Sequence, residues 1–145
     1  MIVKRENMNF ERGGDPKSAM GIDIRFTIKT WLDEMGIGHY TIKDDLTIDV
    51  DGSVYLTYKS LYKIPDFIQF NKVLGDFSCQ CNKLVSLRGV PKEIEGSFYC
   101  NHNLLLSLKD APKKVGDAFY CNNNANKFTE KEVREVCDIR GFCRI

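Results

Sequence analysis

A 21-residue echo fills the second half of this 145-residue chain. Phe77, Phe98 and Phe119 recur at that interval, as do Cys79, Cys100 and Cys121, and then Asn82, Asn103 and Asn124. Leu87 and Leu108 follow in register, with Pro91 and Pro112, and with Val73, Ile94 and Val115. A fixed period in the twenties, carrying apolar-x-apolar and then Asn three residues on, is the pattern of a stacked solenoid. One turn is too small to bury its own apolar edge, so neighbouring turns must stack to make a core. The repeat therefore dictates architecture first, and it points to binding rather than chemistry.

The length suits about one domain, and a hydrophobic content of 43% allows a sizeable core. With 21 basic and 20 acidic side chains the net charge is +1, so bulk electrostatics do not single out nucleic acid or an anionic membrane as a partner. No run approaches the roughly 18 apolar residues of a membrane span, and the opening residues do not read as a secretory signal. A cytoplasmic setting is the expectation. The six cysteines are then expected to be thiols. Cys79, Cys100 and Cys121 obey the period at an apolar position, which reads as a file of core thiols.

The chain divides into four parts. Residues 1–22, with Gly13-Gly14-Asp15-Pro16 and Met20-Gly21, read as irregular backbone. Residues 23–53 read as an N-terminal cap. Ile24, Ile28, Trp31, Leu32 and Met35 fall on one helical face, with Asp23 as the N-cap and Gly36 in the left-handed position at the end. Alternation then shortens to two, through Tyr40, Ile42, Leu46, Ile48 and Val50. Asp51-Gly52 signals a two-residue hairpin. Residues 54–125 are the repeat zone, each Phe-x-Cys forming a short strand and each Asn bonding to the backbone of adjacent turns. Residues 126–145 read as a closing helix. Thr129 and Glu132 form a capping box, Phe128 staples onto Val133, and Gly141 ends the helix.

The run Asn82 to Ile94, and again Asn103 to Val115, resembles the unit N-x-L-x-S-L-x-G-x-P-x-x-V of the short leucine-rich repeats in bacterial and tailed-phage proteins. Asp110 stands where Gly89 does. The resemblance covers about half the chain and implies an α+β leucine-rich-repeat-like solenoid, capped by a helix and meander in front and a helix behind. Function does not follow from it, since such repeats serve many unlike partners. The segment from Phe10 to Ile22 resembles one found in otherwise unrelated proteins of large tailed phages. That likeness implies a docking segment, with Phe10, Arg12, Asp15, Pro16 and Met20 as its marked residues.

Chemistry finds little support in the sequence. Cys79-x-Cys81 beside Cys100-x-His102 offers four zinc-type ligands, but the next turn supplies Cys121 and Asn123, so the thiol file continues without the set. A Cys–His nucleophile lacks an orienting group and an oxyanion site. No phosphate-binding glycine loop is present. No catalytic residue, cofactor or metal site is expected.

The expected binding face lies on the strands. The residue between Phe and Cys points away from the core, giving the column Tyr55, Ser78, Tyr99 and Tyr120. A second column holds Thr57, Gln80, Asn101 and Asn122. Tyr supplies large contact area at low entropy cost, as a protein-binding surface needs. Equally, stacked tyrosines support neighbouring strands by about 0.2–1 kcal/mol per pair. The expectation is a non-enzymatic, phage-type protein-binding or structural protein, virion- or assembly-associated, with a protein partner. The alternative is a cytosolic regulator docking on a host protein.

Overall fold

A computed structural model describes residues 16–145, with side chains from residue 24 onward. The period becomes a stack of turns that each donate one short strand to each of two sheets. In chain order the elements are α1 (Pro16–Glu34), β1 (Tyr40–Ile42), β2 (Ile48–Val50), β3 (Val54–Tyr55), β4 (Phe70–Val73) and β5 (Phe77–Ser78). There follow β6 (Glu93–Ile94), β7 (Phe98–Tyr99), β8 (Lys114–Val115), β9 (Phe119–Tyr120), α2 (Glu130–Val136), β10 (Asp138–Ile139) and β11 (Cys143–Arg144). The first sheet runs β1-β2-β4-β6-β8-β10 and the second β11-β9-β7-β5-β3. Every pairing is parallel except β1 with β2.

Register converts the sequence echo into files through the core. In the second sheet Val54, Phe77, Phe98, Phe119 and Cys143 lie side by side; in the first sheet Val73, Ile94, Val115 and Ile139 do. The three expected phenylalanines are fully buried, with successive ring centroids 6.1 and 5.0 Å apart, and Phe70 adds an edge contact to Phe77 at 5.2 Å. Leu84, Leu87, Leu105 and Leu108 fill the remaining space between the sheets. Burying each large apolar side chain contributes about 1.5–3 kcal/mol, so stacking is the main stabilising term. Cys79, Cys100 and Cys121 are buried free thiols in one file, as the sequence predicts.

The corner after each second-sheet strand is closed by asparagine. Asn82 Nδ2 donates to the carbonyls of Cys79 in its own turn and Leu56 in the preceding one, while its Oδ1 accepts from the backbone of Lys59 and Leu61. Asn103 and Asn124 repeat this, accepting from Leu84 and Leu105. Just before each Asn the chain takes a left-handed residue: Cys81 (φ 59°), His102 (φ 57°) and Asn123 (φ 58°), with Tyr58 (φ 56°) at the first turn. Opposite lies a corner of close approach. A Cβ on Gly96 would stand 2.3 Å from Asp76 Oδ1 and 2.8 Å from the Gly75 carbonyl oxygen.

The caps differ from expectation in four ways. Helix α1 starts at Pro16, so residues 16–22 are helical rather than irregular and Asp23 is inside the helix; proline suits a first helical position because its missing N–H needs no partner there. The core face is as read, with Ile28, Trp31 and Leu32 buried and Ile24 and Met35 partly so. Gly36 takes its left-handed position (φ 75°), with Ile37 N–H returning to the Leu32 carbonyl. Second, Asp51-Gly52 makes no hairpin. It is a corner carrying the chain from the first sheet to the second, because Val54 pairs with Phe77 rather than folding back on Val50. The antiparallel pair is β1 with β2, and β1 covers the front edge of the first sheet.

Third, α2 ends at Val136, not at Gly141; Cys137 is extended (φ −141°). Its start is as predicted: Thr129 Oγ1 accepts from Glu132 N–H, the Glu132 carboxylate accepts from Thr129 N–H, and Phe128 and Val133 are buried. Fourth, the chain beyond α2 is another solenoid turn, since β10 and β11 extend both sheets. Gly141 belongs to the close corner of that turn, against Asp117. Arg134 ties α2 down by donating to the Ile139 and Gly141 carbonyls at 3.0 and 2.8 Å.

Candidate protein-binding face

The outward residues of the second sheet form the column the repeat predicts, but its members differ in accessibility. Tyr55, Ser78, Tyr99 and Tyr120 are register partners on β3, β5, β7 and β9, and Arg144 completes the row. Tyr99 and Tyr120 stack at 4.5 Å with planes 12° apart, and Phe142 meets Tyr120 edge-on at 5.6 Å. Burial raises the Tyr99 hydroxyl pKa, with the Asp76 carboxylate adding to it. Ser78 is buried, 2% exposed, and shares a 3.0 Å hydrogen bond with Thr57. It is no contact residue: a small hydroxyl between larger neighbours is covered by them. Tyr55 lies beyond Ser78, two turns from Tyr99, and is 58% exposed.

In the second column Gln80 and Asn122 are half-buried and Asn101 is buried. The Oδ1 atoms of Asn101 and Asn122 are buried without a hydrogen-bond partner.

Sequence reasoning missed two tyrosines more accessible than Tyr55. Tyr58 and Tyr62, on the same first turn as Tyr55, are 79% and 67% exposed. Lys83 Nζ sits 5.4 Å from the Tyr62 ring centroid. Their positions follow the period, Tyr58 preceding Cys81 in the left-handed file, so the register itself was the available signal. Of the proposed docking segment, Phe10, Arg12 and Asp15 lie outside the described residues. Pro16 and Met20 fall within α1.

The remaining chemistry-bearing groups are dispersed. Burial pushes the Cys79 thiol up to about 12 and Cys121 to about 11, and raises Cys100 well above its ordinary value, making these poor nucleophiles. His102 Nε2 lies 3.2 Å from Asn123 Nδ2 on an exposed corner. Among the described residues no group of three or more His, Cys, Asp or Glu side chains converges as a metal set. No helix among them is long and apolar enough to cross a membrane. Comparison with known proteins finds no matching family model, curated protein or solved structure.

Proposed function

We propose that this chain is a non-enzymatic protein-binding module of the short leucine-rich-repeat type, which docks a protein partner on the tyrosine-bearing side of its second sheet. The observation that carries this reading is the trio Tyr55, Tyr58 and Tyr62, each more than half exposed on one turn of the stack. Exposed tyrosines on a preorganised scaffold give contact area with little ordering cost. The repeat resemblance, with the likeness of the segment from Phe10 to Ile22, makes a phage particle or its assembly the setting.

A tagged chain and its Tyr55→Ser/Tyr58→Ser/Tyr62→Ser variant, expressed during infection, test this. Wild type is expected to co-purify with particle components and the variant to lose them while keeping its melting curve. A single stoichiometric host protein, lost in the same variant, instead makes the chain a regulator of that host factor. Equal recovery by both chains refutes the tyrosine face.

A further inference from the structure

Away from the tyrosines, the loops joining the second sheet to the first enclose a cleft of about 360 Å³ lined by Gln69, Arg88, Gly89, Val90, Lys92, Lys109 and Asp110. Its cations come from two successive turns. Arg88 and Lys109 share a repeat position, and Lys92 continues into Lys113 of the next turn, whose N–H bonds to the Lys92 carbonyl. Gly89 (φ 96°) packs closely against the turn before it, where a Cβ would lie 2.8 Å from Ile64 Cγ2 and 3.0 Å from the Ile68 carbonyl oxygen. Gln69 Nε2 is held by the Phe70 and Val90 carbonyls.

Arg25, Lys29, Lys43, Lys63, Lys72, Arg88 and Arg134 each lie within 4.0 Å of a carboxylate. Arg88 is bound to Asp66 at 3.3 Å. Lys92 and Lys109 are exposed and have no carboxylate partner among the described residues. Lys59, Lys113, Lys114, Lys127 and Lys131 are likewise without one; what marks Lys92 and Lys109 is that both line the same concavity.

We propose that this cleft binds an acidic peptide segment, with side-chain carboxylates meeting Lys92 and Lys109. A phosphate clamp draws on bidentate Arg or on a nest of backbone N–H groups. Asp110 on the wall repels a concentrated dianion more than separate single charges. Lysines on adjacent turns are compact point charges suited to separate carboxylates. The near-neutral whole lacks the broad positive field on which nucleic-acid affinity depends. This inference rests on the protein-binding reading and names a second contact for the partner.

Fluorescence anisotropy with labelled hexaglutamate tests it, with hexaglutamine, inorganic phosphate and a single-stranded DNA oligonucleotide alongside. Hexaglutamate is expected to bind at low salt and hexaglutamine not to. Binding falls about tenfold in Lys92→Glu/Lys109→Glu and weakens as added salt shortens the screening length. The control Lys127→Glu/Lys131→Glu, of equal net charge, is expected to stay within about twofold of wild type. Circular dichroism melts confirm that all chains fold. Equal loss in both variants, or no binding by wild type, overturns the cleft; tighter DNA binding, or displacement of the peptide by phosphate, replaces it with a phosphate site. A chain that captures its partner through the tyrosines yet ignores hexaglutamate refutes the cleft alone.

Discussion

Asn103 Nδ2 donates to the carbonyl oxygen of Cys79, one turn away, at 2.9 Å. The same amide donates to Cys100, and its oxygen accepts from Leu84 N–H, all in buried surroundings. Asn103→Leu strips partners from buried backbone groups that no water reaches. A loss of about 2–4 kcal/mol is expected in urea unfolding, since each buried unsatisfied group costs roughly 1–3 kcal/mol. A change under 1 kcal/mol would show the ladder to be dispensable.

Gly96→Ala tests the opposite corner. The added methyl group meets Asp76 Oδ1 and the Gly75 backbone, and backbone cannot swing aside. Overpacking of this kind costs about 1–3 kcal/mol, readable as a lower melting temperature. An unchanged melt would mean the turns can part at this edge without penalty.

The left-handed corner offers a stabilising change. His102 sits at φ 57°, a region Asn adopts more readily, and Asn123 already occupies the equivalent place one turn on. His102→Asn is expected to raise stability by up to about 1 kcal/mol. Destabilisation would reveal a role for the imidazole beside Asn123.

Thiol reactivity should sort the six cysteines by depth. Cys81 and Cys143 are partly accessible, whereas Cys79, Cys100, Cys121 and Cys137 are buried. A disulfide reagent at pH 8 is expected to modify the first pair quickly and the other four only on unfolding. Burial pushes Cys79 and Cys137 up to about 12 and Cys121 to about 11. A thiol whose folded pKa is raised stays protonated in the fold while the unfolded chain ionises near about 8.5. Its stabilisation is therefore full below that pH and is lost as the pH climbs towards 11–12. Melting temperatures should decline from about pH 9 upward. Flat melts to pH 11 would contradict the buried file.

Reading the chain succeeded where a residue's role repeats. The Phe, Cys and Asn files were legible because stacking forces one side-chain type into one register. The strands of the first sheet were not, since pairs such as Glu93-Ile94 and Lys114-Val115 are too short to show alternation. The last turn hid because α2 interrupts the period and Cys143 stands where a phenylalanine is expected. Ser78 and Asn101 misled for a different reason: direction out of a sheet is set by the chain, but exposure depends on neighbours one turn away. Tyr58 and Tyr62 fell outside the Phe-x-Cys strand and so went unmarked, although register alone placed Tyr58.

The asparagine corners also give the stack a direction. Each carboxamide reaches back to finish the turn before it and contributes nothing to the turn ahead. Trimming the protein from its carboxyl end therefore unravels the corner left behind, whereas a copy of one whole 21-residue unit spliced between its neighbours brings its own fastener with it.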